Sequence, residues 1–167
     1  YQRGGEKLVK VLTEDLRLHS RADRYFIFVR PLQDCYIYLL QEDSKGNVTL
    51  LFPGKEAGAS VKAGRDYWMP AFGRAYTLDD TKGEEKIYLL ATSWPLKSEI
   101  AGLPLKEQVR GAVRSLKTRI IKVVRPSDAH QSVNEEELKI RPQKIESLIE
   151  RVEGEGGWVK VVRFRHE

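Results

Sequence analysis

Histidine and cysteine are the side chains of this sequence best suited to metal binding or nucleophilic catalysis, and they are few. His19, His130 and His166 lie in polar segments without metal-ligand spacing, which favours surface histidines over a metal site. The single cysteine, Cys35, excludes an internal disulfide and lies in an apolar strand pattern typical of a small buried hydrophobic residue. The sequence contains no G-x-S-x-G, P-loop or H-E-x-x-H motif. We therefore predict no catalytic residue, no metal site and no bound cofactor.

Carboxylates could act as general acids and bases or bind calcium. The pairs Asp79-Asp80 and Glu84-Glu85 flank a turn, which favours solvated loop carboxylates over a catalytic pair. The segment Asp43-Ser44-Lys45-Gly46-Asn47 has the spacing of two calcium ligands but lacks the further ligands of an EF-hand loop. A hairpin turn accounts for the same residues, because Gly and Asn tolerate the positive φ that tight turns need.

Basic residues dominate the segment Lys97–Arg125, which holds eight basic and two acidic side chains. Its net charge of +6 exceeds the +5 of the whole chain of 167 residues. Spacings of four, four and three residues place one set of cations on a single face of a predicted helix, and we call this set the basic ridge: Lys106, Arg110, Arg114 and Lys117. Such a ridge attracts phosphates, acidic proteins or lipid headgroups, and the alternative is a solvated helix face that only aids solubility.

The elements that would position these residues are mostly short strands in the first part of the chain. Twelve of the fifteen aromatic residues lie between Tyr25 and Trp94, in runs separated by Gly and Pro. The predicted strands are Leu8–Thr13, Tyr25–Arg30, Cys35–Leu40, Val48–Phe52, Asp66–Met69, Tyr76–Leu78 and Lys86–Thr92. We expect the third and fourth to form a hairpin, with side chains of the third alternating between a core and an exposed face unless both faces are covered. Phe52 and Trp68 are predicted core residues.

The second part of the chain has a different period. Pro104 can open a helix that continues to Leu116, and apolar spacing predicts another helix over Pro142–Val152. Strands are predicted at Ile120–Val124 and Trp158–Phe164, with a polar loop over Pro126–Asn134. The expected fold is mainly β, a sandwich or partly open barrel of antiparallel strands, with a C-terminal α/β extension of two helices and two strands; overall it is α+β. We expect residues 97–167 to dock on a β-rich domain formed by residues 1–96.

The hairpin and its continuation resemble a bacterial domain of unknown function that recurs in envelope and multidomain signalling proteins. The resemblance rests on Cys35–Leu40, the turn Ser44–Asn47, Val48–Pro53, Val61–Gly64, Tyr67–Pro70 and Glu85–Ser93. It covers roughly Leu8 to Leu96 and leaves Lys97–Glu167 largely unexplained. The resemblance implies an accessory domain beside kinase-like or caspase-like modules, with no established catalytic residue, and a periplasmic or envelope location.

The combined sequence features favour a non-catalytic accessory domain that binds a protein or an envelope component. A basic-ridge module for nucleic acid or another anionic surface is the first alternative, and an unrecognised enzyme is the second. With 41% hydrophobic and 32% charged residues the chain can bury a core, and no apolar run approaches the roughly 18–20 residues of a transmembrane helix. The chain starts at Tyr1 rather than Met, so we expect that an upstream signal or domain is missing from it.

Overall fold

A six-stranded sheet is the centre of the molecule in a computed structural model that describes residues 1–4, 6, 8–10, 16–54, 58–96, 111, 122–124, 132–140, 148, 151–153 and 156–167. Its strands, in spatial order, are β2 (Leu16–Leu18), β14 (Gly157–His166), β10 (Gly83–Thr92), β5 (Cys35–Glu42) and β6 (Val48–Phe52). The sixth strand, β7 (Ser60–Val61), pairs with the start of β5. The β14–β2 pair is parallel and the other pairs are antiparallel.

Four two-stranded ladders accompany this sheet. They pair β1 (Leu8–Lys10) with β12 (Ser132–Asn134), β3 (Arg24–Tyr25) with β9 (Tyr76–Thr77), β4 (Ile27–Val29) with β8 (Tyr67–Met69), and β11 (Lys122–Val124) with β13 (Arg151–Glu153). A short helix, α1 (Glu135–Ile140), follows β12 directly. Asn134 caps this helix, because its side-chain oxygen accepts hydrogen bonds from the amides of Glu136 and Glu137.

The central sheet is covered on both faces, and β5 shows this most clearly. Ile37 and Leu39 belong to one buried cluster, whereas Tyr38 and Leu40 belong to another on the opposite face. All four are buried, so the predicted alternation exists but separates two cores rather than a core from solvent. The first cluster also contains residues of β3, β4, β8 and β9, so the β3–β9 and β4–β8 ladders cover that face of the sheet.

The mainly β prediction is confirmed, and none of the sheets seen among the described residues closes into a barrel. The hairpin of β5 and β6 forms as predicted, with a register shift between Leu39 and Leu40. Three strands extend beyond their predicted ends: β5 ends at Glu42 rather than Leu40, β10 begins at Gly83 rather than Lys86, and β14 ends at His166 rather than Phe164. These extra residues prove important, because they bring a carboxylate and an imidazole into the sheet.

Several predictions for the second part of the chain need correction. The helix expected over Pro142–Val152 does not reach Val152, because Arg151–Glu153 is a strand paired with Lys122–Val124. The predicted polar loop ends in strand β12, and helix α1, which was not predicted, follows it. The helix expected from Pro104 to Leu116 lies outside the described residues apart from Gly111, which is helical.

Candidate functional site

Glu85 and His166 meet on one face of the central sheet, where β10 and β14 run side by side. The register pairs Gly83 with His166 and Glu85 with Phe164, so the two polar side chains share a face as diagonal neighbours. Each residue is only 1% exposed. The prediction of a solvated loop carboxylate at Glu85 and of a surface histidine at position 166 is therefore wrong.

A chain of polar contacts, the buried polar chain, runs from this pair in both directions and comprises Tyr25, Gln41, Glu85, His166 and Ser20. The Tyr25 hydroxyl donates to Gln41 Oε1 over 2.8 Å, and Gln41 Nε2 donates to Glu85 Oε2 over 2.9 Å. Glu85 Oε1 lies 3.7 Å from His166 Nδ1, and His166 Nε2 lies 2.7 Å from Ser20 Oγ. His166 Nδ1 makes no hydrogen bond, so the imidazole is tied firmly to Ser20 and only electrostatically to Glu85.

Burial controls the ionisation of this chain. Desolvation raises the pKa of Glu85, and the negative charges of Asp43 and Asp79 raise it further. The hydrogen bond from Gln41 and the proximity of His166 oppose this rise in the Glu85 pKa. Burial also raises the pKa of Tyr25, so its hydroxyl stays protonated as the donor to Gln41. The site therefore favours a proton on Glu85 more than water would.

Serine, histidine and glutamate in this order invite comparison with a nucleophile, a base and an orienting acid. The 2.7 Å distance between Ser20 Oγ and His166 Nε2 suits such a role. The 3.7 Å between His166 Nδ1 and Glu85 Oε1 is too long for the hydrogen bond that orients a catalytic base. In addition, the His166 side chain is 0% exposed, which keeps its proton away from any leaving group in solvent. The geometry suits a buried structural contact better than acyl transfer.

A shallow polar cleft of about 160 Å³ adjoins the buried polar chain at Gln41. Its lining is formed by Gln41, Asp43, Asn47, Thr49, Thr77 and Asp79. The Asp43 carboxylate is already used by the hairpin turn, where it accepts hydrogen bonds from the amides of Lys45 and Asn47 and from the Asn47 side chain. The predicted hairpin turn over Asp43–Asn47 is therefore formed. The described residues contain no group of three or more metal-binding side chains.

A second feature is an aromatic surface on the outer side of the β4–β8 ladder, formed by Phe26, Phe28, Trp68 and Phe72. Ring centroids lie 5.3 Å apart for Phe26 and Trp68, 4.9 Å for Phe28 and Trp68, and 5.2 Å for Trp68 and Phe72. These tilted and edge-on arrangements are the favourable ones for aromatic pairs. The opposite side of the same ladder, including Ile27 and Met69, faces the core.

The aromatic surface is only partly covered. Val133 from the second part of the chain packs against three of its rings, whereas Phe72 remains 49% exposed. Arg30 lies over the Phe28 ring at 5.8 Å and pairs with Asp66 through two hydrogen bonds of 2.6 and 3.1 Å. A cation held in place beside a partly exposed ring makes a surface suited to aromatic, proline or apolar side chains of a partner.

The remaining residues singled out in the sequence differ in burial, and some of them lie outside the described residues. Cys35 is half-buried, contacts the first core cluster, and has its pKa raised by burial, as expected for a residue that is not a nucleophile. Phe52 is half-buried against the same cluster, but Trp68 belongs to the aromatic surface rather than the main core, because it lies on the outer side of its strand. His19 is exposed, while His130 lies outside the described residues. The basic ridge (Lys106, Arg110, Arg114 and Lys117) also lies outside them, so it stays a prediction.

Sequence reasoning missed Ser20, Tyr25 and Gln41 as parts of a polar chain. Ser20 follows a strand of three residues whose partner is the last strand of the protein, a pairing without a local signal. For Glu85 and His166 a signal did exist: each continues the alternation of its strand, two residues before Ile87 and two residues after Phe164.

Residues 22–95 match a protein family described as Domain of unknown function (DUF4384). No curated protein and no solved structure matches the chain. The match supports the predicted resemblance to a domain of unknown function, while the bacterial, envelope and signalling associations stay predictions. It includes the whole aromatic surface, whereas Ser20 and His166 lie outside it. Among the described helices, none is long and apolar enough to cross a membrane.

Proposed function

We propose that this chain is a non-catalytic accessory domain that binds a protein partner through the aromatic surface. The observation that carries the proposal is a set of four contacting rings on the outer side of a ladder, with Phe72 49% exposed. Aromatic and arginine side chains dominate the energetic centres of protein interfaces, and the surface combines three phenylalanines and a tryptophan with Arg30. An envelope component that presents apolar groups would fit the same surface.

The geometry of the rings supports binding rather than simple packing. Trp68 contacts Phe26, Phe28 and Phe72, so its orientation is fixed by rings around it. The bidentate pair with Asp66 fixes Arg30 in turn. A preorganised surface loses little conformational entropy on binding, because its side chains are already ordered.

An accessory role within a longer parent protein agrees with the resemblance noted for the hairpin region, and so does an envelope location. The matched family carries no assigned activity. The contacts of Ser20, His166 and Glu85 also favour a structural role, since the imidazole is buried and Nδ1 is 3.7 Å from the carboxylate. The enzyme alternative can be tested directly: a fluorophosphonate probe should leave Ser20 unlabelled, and labelling lost in Ser20→Ala would contradict a non-catalytic function.

The binding proposal can be tested with a photo-reactive amino acid introduced at position 72, followed by irradiation in the native host and identification of the cross-linked chain. The identified partner is then purified, and its affinity is measured for the unaltered chain and for Phe72→Ala. We expect at least a tenfold loss of affinity, because truncation of a central interface residue typically costs about 2 kcal/mol or more.

Leu32→Ala is the matched control, since Leu32 is an exposed apolar residue outside the aromatic surface. It should leave the affinity unchanged, and both variants should keep the unfolding midpoint of the unaltered protein. Equal losses in Phe72→Ala and Leu32→Ala, or no loss in either, would show that the partner binds elsewhere.

Binding of nucleic acid or another anionic surface by the basic ridge is a second candidate function. The observation in its favour is the net charge of +6 between Lys97 and Arg125. Because like charges that are concentrated in one segment raise the local potential, polyanions are the expected ligands. This function does not require the aromatic surface, so the two proposals can be separated by variants of each region.

A further inference from the structure

Three parts of the chain that are distant in sequence meet at His166. Its strand, β14, lies between β10 and β2, and its imidazole contacts Glu85 of β10 and Ser20 in the turn after β2. Within the central sheet, β2 is a terminal strand of only three residues, and its ladder pairs it with β14 alone. The contacts around His166 therefore add to the burial of Leu18 in the first cluster in holding this terminal strand.

Backbone hydrogen bonds close the same junction. The Glu167 amide donates to the Leu18 carbonyl over 2.8 Å, and the Ser20 amide donates to the Glu167 carbonyl over 3.1 Å. Arg17 and Glu167 add an exposed ion pair at 3.1 Å, which contributes little in water. These bonds are made by Ser20, which contacts the imidazole, and by Glu167, the residue after His166. A change in the charge of the imidazole therefore acts on groups next to them.

The surroundings of the pair contain more negative than positive charge. From β10 the imidazole faces Glu85, and from the turn after β2 it faces the uncharged Ser20. Glu85 lies beside Gln41 of β5, and the negative charges of Asp43 and Asp79 raise its pKa. The charge of Glu85 in turn raises the pKa of Tyr25.

Other charges lie near the turn after β2. Asp23 is buried there, accepts hydrogen bonds from the amides of Gly4 and His19, and lies 3.7 Å from Arg3. The Arg17–Glu167 pair and the exposed Arg165 are further charges at the end of β14.

The number of protons on the pair determines its buried charge. With one proton the pair has no net charge, either as carboxylate and imidazolium or as two neutral groups. Loss of that proton leaves a carboxylate in the sheet interior without a counter-charge, which is strongly unfavourable. A second proton leaves an imidazolium beside a neutral acid, which is unfavourable for the same reason.

We propose that Glu85 and His166 form a pH-sensitive latch, which holds β2 and its following turn against β14 in mildly acidic solution and loosens them as the pH rises. The direction agrees with the raised pKa of Glu85: a group that binds its proton more tightly in the folded state stabilises the fold at low pH, and this stabilisation is lost as the pH rises through the raised pKa. Binding through the aromatic surface is not required for this behaviour.

Hydrogen exchange of the Ser20 and Glu167 amides in the full chain tests the latch, because these two amides are exposed when β2 detaches. Protection is measured by NMR between about pH 5.5 and about pH 8, the range in which imidazoles titrate, and is corrected for the intrinsic exchange rate. We expect protection at both amides to fall about tenfold over this range, because the closed state binds the proton of the pair more tightly than the open state does. The Leu90 amide in the central strand β10 should show a much smaller change.

Glu85→Gln removes the titrating carboxylate but retains a partner for Gln41, so protection in this variant should not depend on pH. Glu84→Gln is the matched control: its side chain is exposed on the other face of β10, and the unaltered pH dependence should persist. If Glu85→Gln fails to fold, the unaltered chain still decides the question. The pH at which the side-chain carboxyl carbon resonance of Glu85 titrates must then coincide with the midpoint of the loss of protection.

Corrected protection that is constant with pH in the unaltered chain would overturn the latch. So would a pH dependence that Glu85→Gln retains, or a titration midpoint of the Glu85 carboxyl that differs from the midpoint of opening.

Discussion

Gln41 makes a buried carboxylate tolerable in the central sheet. Its amide group accepts from the Tyr25 hydroxyl and donates to Glu85, so one side chain satisfies a neighbour on each side. Because an unsatisfied buried polar group costs about 1–3 kcal/mol, loss of Gln41 would leave two groups without partners. This polar part of the sheet interior is thus stabilised by a few residues that depend on one another.

Gly83 shows how a single backbone position permits the extension of β10 toward His166. It has a φ of 137°, and a Cβ at this position would lie 2.3 Å from the Ser44 Cβ in the hairpin turn. The Ser44 hydroxyl also donates to the Lys82 carbonyl over 2.8 Å, so the turn is held close to the strand. Only glycine meets both conditions.

We predict that Gly83→Ala lowers the free energy of unfolding by about 1–3 kcal/mol, the usual cost of a side chain at such a φ, with a contribution from the clash. Urea unfolding followed by circular dichroism measures the change. Gly54→Ala is the control, since a Cβ there meets no atom within 4 Å and the change should be close to zero. Equal stability of Gly83→Ala and the unaltered chain would show that the turn moves away at no cost.

For single residues, the alternation of side chains along a strand predicted some positions correctly and missed others. It placed Ile37 and Leu39 on a common face, and both contribute to the same cluster. The same rule applied to Glu85 would have placed it inward with Ile87, but its charge and a neighbouring acidic residue favoured a loop. The partners that make its burial tolerable come from β5 and β14, which local sequence does not reveal.

Among the elements, strands with an apolar run or alternation of their own could be predicted, and very short ones could not. β5, β6 and β10 have five to ten residues and contain their own signal. β12 and β13 have three residues each and exist through pairing with strands elsewhere in the chain, so their sequences do not distinguish them from loops. The helix predicted up to Val152 failed there because strand pairing outweighed an apolar spacing of helical period.

The basic ridge lies on a helix that is predicted from the sequence, and its positive charge leads to a prediction about polyanion binding. If it binds polyanions, retention on heparin should fall steeply between about 50 and about 200 mM salt, because each neutralised phosphate or sulfate releases counterions. Arg110→Glu with Arg114→Glu should weaken binding to heparin and to duplex and single-stranded oligonucleotides without loss of folding.

The matched control for this experiment reverses Arg163 and Arg165, two exposed residues of β14, and so changes the net charge equally at another place. Binding that both double variants weaken equally would reflect overall charge. Absence of binding at low salt would reduce the basic ridge to a feature that aids solubility.

At the scale of the whole molecule, the last strand lies inside the sheet rather than at its edge. β14 pairs with β10 over ten residue pairs and with β2 over three, and it contributes Phe164 to the first cluster and Val159 to the second. The family match ends at residue 95, so in this chain the matched segment shares its central sheet with residues beyond the match.

We predict that a chain ending at residue 155 does not unfold cooperatively, because it loses β14 and leaves one edge of β10 without a partner. Each large apolar side chain that loses its burial costs about 1.5–3 kcal/mol. Several such losses, with the ladder hydrogen bonds, approach the total stability of about 5–15 kcal/mol for a typical domain.

A synthetic peptide of residues 156–167 should restore cooperative unfolding when it is added to the shortened chain. The same peptide with Phe164→Asp should not, since it would place a charge in the first cluster. Cooperative unfolding of the shortened chain at the midpoint of the full chain would contradict the prediction, because the core would then be complete without its last strand.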